Sequence, residues 1–164
     1  MKQKKKIKAA DLLKKYNLHP PIPVEKLAKK MGVTVSYGPL DEDISGFLFR
    51  KEDEIIIGVN SFHPRTRQRF TIAHEIAHFL NHQGDFFVDR KIMFRDAKSQ
   101  EGTDENEKEA NSFAAELLMP EDEVLEGLSK TEIEDEEEFR AFVDEFGVSV
   151  QAMTIRIKNL LNSW

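Results

Sequence analysis

A chain of 164 residues with 40% hydrophobic and 33% charged residues can bury the core of one compact domain, and its net charge of −6 speaks against general binding to nucleic-acid phosphates. It has no cysteine, which excludes disulfides, thiol catalysis and thiolate metal sites, so a metal ion must be held by His, Asp or Glu. No apolar run approaches the ~18 residues of a membrane span, and no apolar stretch follows the basic start Met1-Lys-Gln-Lys-Lys-Lys, so no secretion signal is read and a cytoplasmic protein is expected.

Ile7, Ala10 and Leu13 have helical spacing within Lys6 to Tyr16. His19-Pro-Pro-Ile-Pro23 is extended, because proline disfavours helix in the residue before it. A second helix runs from Val24 to Met31 and stops at Gly32. Val33 to Tyr37 alternates and is β-branched, so it reads as a strand. Gly46 to Phe49 and Glu54 to Val59 flank the polar turn Arg50 to Asp53, a hairpin signal that gives three strands in all. Phe47, Phe49, Ile55 and Ile57 alternate along it. Three features stay open as sources of substrate specificity: strand addition at an edge around Ile55 to Val59, the Gln83 to Asp104 loop, and docking on the acidic C-terminal helices.

Pro64 opens a long helix from Arg65 to about His82. Gln83 to Asp104 shows no helical period and reads as a long functional loop, with Phe86-Phe-Val88 a short strand inside it. Helices follow at Glu105 to Met119, which Pro120 ends, at Asp122 to Leu128, at Asp135 to Phe146, and from the Ser149 cap through Leu161. The lysine-rich start and the acidic Glu121 to Glu145 read as solvated surface. The expected organisation is a catalytic domain over 1–128 and a helical appendage over 129–164. Helix, glycine turn and helix in Phe142 to Leu160 resemble a helix-turn-helix, but only Arg156 and Lys158 offer basic groups, so packing on the catalytic domain is favoured over DNA contact.

The chemistry is concentrated in Arg69-Phe-Thr-Ile-Ala-His-Glu-Ile-Ala-His-Phe-Leu80. His74 and His78, four apart on a helix, have Cβ atoms about 5–6 Å apart on one face and can converge on one ion. Glu75 sits beside that face, where it can act as general base toward a water that zinc has acidified to a pKa of about 7. A catalytic zinc takes three protein ligands and keeps one position open. A third histidine six residues on would need Gly at 81 and His at 84, but the chain has Asn81 and Gly84. Glu107 and Glu109 remain. Glu107 shares a helical face with Ala110, Asn111, Ala114 and Leu118, whereas Glu109 lies nearly opposite, so Glu107 is taken as the third ligand. Asn111 is placed to orient a ligating imidazole. His82 reads as a favourable charge at a helix C-terminus. Tyr37, His63, His82 and Arg95 stay open as oxyanion stabilisers.

Three stretches, Pro21-Ile-Pro-Val-Glu-Lys-Leu-Ala28, Arg67-Gln-Arg-Phe-Thr-Ile-Ala-His-Glu-Ile-Ala-His78 and Glu107-Lys-Glu-Ala-Asn-Ser-Phe-Ala-Ala-Glu-Leu-Leu-Met-Pro120, resemble the ImmA/IrrE family of zinc metallopeptidases. The resemblance implies an α+β, zincin-like fold with a small antiparallel or mixed sheet packed on the His-Glu-x-x-His helix. It also implies a Glu-type third ligand and a substrate class: helix-turn-helix repressors of bacteria, phages or mobile elements. The leading expectation is therefore a Zn2+-dependent, site-specific endopeptidase that acts on a repressor, with no membrane partner. The alternatives are a repressor- or DNA-binding regulator with structural zinc, and a toxin–antitoxin partner. Glu75 separates the first two, because a structural site needs no general base.

Overall fold

Alternating and β-branched residues give the centre of the molecule a mixed four-stranded sheet in a computed structural model that describes residues 4–90 and 104–163. Its strands are β1 (Thr34–Gly38), β2 (Ile44–Lys51), β3 (Glu54–Asn60) and β4 (Phe86–Arg90), in the order β1-β3-β2-β4. The β2–β3 hairpin is antiparallel, β1 runs parallel to β3, and β4 runs antiparallel to β2. The short strand expected at Phe86 to Val88 is present, runs on to Arg90 and joins the other three in one sheet, because it pairs along Ile44 to Phe49. The candidate edge, Ile55 to Val59, is instead paired on both sides by β1 and β2. Its run Ile55-Ile-Ile-Gly-Val59 suits an interior strand, and the outer strands are β1 and β4.

Around the sheet stand α1 (Ala9–Lys15), α2 (Val24–Lys30), α3 (Arg65–Asn81), α4 (Asp104–Leu118), α5 (Glu121–Ser129), α6 (Glu136–Asp144) and α7 (Val150–Asn162). Asp135 caps α6 by accepting from the amides of Glu137 and Glu138, and Ser149 caps α7 by accepting from Ala152. Between them Gly147 takes φ +64°, a left-handed turn that a side chain adopts only at a cost.

The helix α3 crosses β2 and β3, packs along α4 and is buried from Thr71 to His78. Leu48, Ile57 and Val59 from the sheet, Ile72 and Ile76 from α3, and Leu117 and Leu118 from α4 share one buried cluster. Gly46 lets the layers meet closely, since a Cβ there would stand 2.6 Å from Cγ2 of Thr71. Small residues do the same between the helices, where Ala73, Ala77, Ala110 and Ala114 are fully buried. Phe142, Val143, Phe146, Val148, Met153 and Leu160, from α6, α7 and the turn between them, join the same cluster. No helix among the described residues is long and apolar enough to cross a membrane.

Candidate metal centre

Burial of α3 on nearly all sides puts polar groups in the interior, and each must find a partner there. His74 and His78 turn their Nε2 atoms to within 3.1 Å of each other. From α4, Glu107 brings Oε2 to 3.1 Å from Nε2 of His74 and Oε1 to 3.0 Å from Nε2 of His78. Atoms bound tetrahedrally at about 2.0–2.1 Å from one zinc lie roughly 3.3 Å apart, so this set has close to the right spread. Each imidazole is also held from behind. Oδ1 of Asn111 is 2.9 Å from Nδ1 of His74, and Nδ1 of His82 is 2.8 Å from Nδ1 of His78. The Phe87 ring, on β4, stacks on His78 at 4.7 Å and 15°. Both Nδ1 atoms are thus engaged, and both Nε2 atoms face the Glu107 carboxylate.

Glu75 is buried beside this group, and neither carboxylate oxygen has a hydrogen-bond partner. Burial pushes its carboxyl well above the ordinary range, His74 pulls it back, and Asp89 and Glu107 add to the rise. Burial works against a charged His74, but Asp89, Glu107 and Glu75 outweigh it and lift the imidazole to about 9. Burial opposes ionisation of Glu107 too, yet its bonds to His74 and His78 bring it down to about 2. The centre therefore gathers carboxyl groups of unequal acidity around two imidazoles, with Glu107 held ionised between them, as a cation site does. Two imidazoles, one carboxylate and no thiolate form a donor set that fits a zinc-type ion.

The structure brings together His74, Glu75, His78, Glu107 and Asn111. Glu109 points away, to His82 and Lys6. His82 does not act as an exposed charge at the helix end. It is 6% exposed, and Arg50 does that work, donating to the carbonyls of Phe79 and His82 that end α3. The His82 ring turns inward, between His78 and Glu109. Tyr37 bonds Glu25 and Arg65 at the other end of α3, and His63 reaches the carbonyl of Glu42. Arg95 lies outside the described residues.

Sequence reasoning missed Asp89. It stands on β4 with Oδ1 3.9 Å from Nε2 of His74, and with His74 and Glu75 it forms a second cluster of potential ligands. Burial raises its carboxyl, Glu107 adds to the rise, and His74, Arg67 and His63 oppose it. The alternation in Phe86-Phe-Val-Asp-Arg90 was the available signal, because it places Phe87 and Asp89 on one face.

Two buried histidines and the half-buried Glu107 form a group that could hold a metal ion, beside the unpartnered Glu75 carboxylate. The comparison with protein families agrees. The model of the peptidase M78 family, the IrrE N-terminal-like domain, matches residues 28–158, and the chain belongs to that family. The match continues past Pro120, where the motif resemblance ends, through α5, α6 and most of α7. A comparison with curated proteins finds no match.

Proposed function

We propose that the chain is a zinc-dependent endopeptidase of narrow specificity that cuts a helix-turn-helix repressor in the cytoplasm. The observation that carries the catalytic reading is the convergence of His74, His78 and Glu107 beside the two orphaned oxygens of Glu75. His74, His78 and Glu107 would hold the ion, which supplies Lewis-acid polarisation of a peptide carbonyl and a more acidic water. Glu75 takes the proton from the attacking water and delivers it to the departing nitrogen. Its burial keeps that proton from bulk solvent, and the carboxyl's raised affinity for it makes Glu75 a competent carrier. A positive charge next to Glu75 lowers that affinity toward the working range. Asn111 fixes the His74 ring by accepting from its Nδ1–H.

The outer strand β4 carries Asp89 to the centre and ends the sheet there. An extended substrate segment adding to this strand would pass the reacting atoms, which moves the candidate peptide edge from Ile55–Val59 to β4. The substrate class rests on the resemblance of the three motifs. Co-expression with candidate helix-turn-helix repressors, in the presence of zinc, tests it. Cleavage at one or a few positions, absent with Glu75→Gln, is the expected result. A repressor bound but never cut would favour a regulator with structural metal.

A further inference from the structure

Behind His78 lies a row of polar groups for which the proposed reaction has no use. It runs from His82, through Glu109, to Lys6 at the surface. The row crosses three parts of the chain. His82 leaves the end of α3 with extended backbone, Glu109 is on α4, and Lys6 precedes α1. The same end of α3 is tied to the chain start a second time, because Asn81 accepts from the amide of Ile7 and donates to its carbonyl, both at 2.8 Å.

We propose that His82 is a positioning residue for the metal centre: it fixes the tautomer and ring orientation of His78, and Glu109 sets the direction of the bond between them. The inference rests on the reading of His74, His78 and Glu107 as ligands. Two ring nitrogens 2.8 Å apart are bonded only when one donates and the other accepts. Nε2 of His82 is 3.0 Å from Oε2 of Glu109. A carboxylate only accepts, so a neutral His82 carries its proton on Nε2 and has a bare Nδ1. That Nδ1 accepts from Nδ1–H of His78. The proton of His78 is then held on the far side of the ring, and its Nε2 lone pair is free for the ion. Asn111 does the same for His74, with a side-chain oxygen in place of a second imidazole. Phe87 holds the His78 ring flat on one face, and the bond to His82 sets its rotation in that plane.

The row also predicts a gradient. His82 is buried, whereas Glu109 and Lys6 are partly open to water. Influence on the ion therefore falls from His82 to Glu109 to Lys6.

The test is zinc competition on the full chain, with circular dichroism as the check on folding. His82→Phe keeps the ring volume and removes the acceptor, and it should raise the zinc dissociation constant about 10–100-fold. His82→Asn puts an oxygen close to where Nδ1 stood, as Asn111 does for His74, and should stay within roughly threefold of the wild type. Glu109→Ala should fall between these two, and Lys6→Ala should change little, about twofold or less. Nitrogen-15 NMR of the zinc-loaded wild type reads the tautomer directly, and His82 protonated at Nε2 alone supports the proposal. Wild-type affinity in His82→Phe, equal losses in His82→Asn and His82→Phe, or a proton on Nδ1 of His82 would each overturn it. Zinc lost from His74→Ala but kept at full affinity in His82→Phe sinks this inference and leaves the ligand reading standing. Zinc kept in His74→Ala/His78→Ala sinks both.

Discussion

The helix pairs α3–α4 and α6–α7 solve opposite problems with the same secondary structure. The first pair is held by alanines that let the backbones approach, and it spends the enclosed space on His74, Glu75, His78, Glu107 and Asn111. The second is filled with Phe142, Val143, Phe146, Val148, Met153 and Leu160 and turns its acidic residues to water. Each polar group inside the first pair needs a partner or a cation, since an unpaired buried polar group costs on the order of 1–3 kcal/mol. The second pair meets little such demand: Arg156 of α7, half-buried, donates its Nε–H to the carbonyl of Met119, and the rest of its interior is apolar. Chemistry and stability should therefore separate cleanly between the two under mutation.

The largest effect tests that separation directly. His74→Ala combined with His78→Ala, or Glu107→Ala alone, should leave a folded chain that no longer binds zinc tightly, as read by metal analysis after dialysis. Wild-type zinc content in the double mutant would show that the polar interior is not the metal centre. Glu75→Gln should retain zinc and fold but lose roughly 10²–10⁴-fold in repressor cleavage, since an amide cannot carry the water's proton. Cleavage at the wild-type rate would remove Glu75 from the mechanism.

The second pair should respond in the opposite way. Phe142 is 4% exposed, and its ring lies where a Cβ on Gly127 would reach within 2.3 Å. Phe142→Ala should cost about 3–5 kcal/mol in urea unfolding, and Gly127→Ala about 1–3 kcal/mol through overpacking. In both variants the fraction that stays folded should still hold one zinc. Loss of zinc from folded Phe142→Ala would mean that the two pairs are coupled. Arg69 marks where coupling would run, because its Nε donates to the carbonyl of Gly147 across the two regions.

How much of this could be read in advance follows from the range of each signal. Helical period alone put Glu107 and Asn111 on one face of α4 and His74 and His78 on one face of α3, and the structure brings those faces together. Spacing within one helix is local information, so the pattern carries it. Asp89 and His82 depend on distant partners. Asp89 needed β4 to pair with β2 rather than remain a loop, and five residues with two phenylalanines leave that choice open. His82 turns its ring inward to His78 and to Glu109, the latter 27 residues later on α4. The apolar run of β3 suits an interior strand, but which strand covers its second edge follows from where β1 lands.

The smallest predicted effect lies at the opposite end of α3 and marks the contrast between buried and surface charge. The first turn of α3 holds no acidic residue and carries Arg65 at its start, where the helix dipole disfavours positive charge. Glu25 of α2 answers this by pairing with Arg65 and accepting from Tyr37. Burial alone would raise the Glu25 carboxyl, but its bonds to Tyr37 and Arg65 outweigh it and hold the pKa below the ordinary value. A carboxyl depressed on folding adds stability above its unfolded pKa of about 4.3, and that stability fades as pH falls through the lower folded value. The Glu25 and Arg65 side chains keep 37% and 53% of their exposure, so water and salt screen the pair. Glu25→Gln should cost at most about 1 kcal/mol at pH 7, and less in high salt. Melting curves of both proteins should converge as pH drops toward the folded Glu25 pKa. A gap that persists in acid would place the contribution of Glu25 in packing rather than charge. A loss comparable to that of Phe142→Ala would show that surface charge carries far more of this fold than its exposure allows.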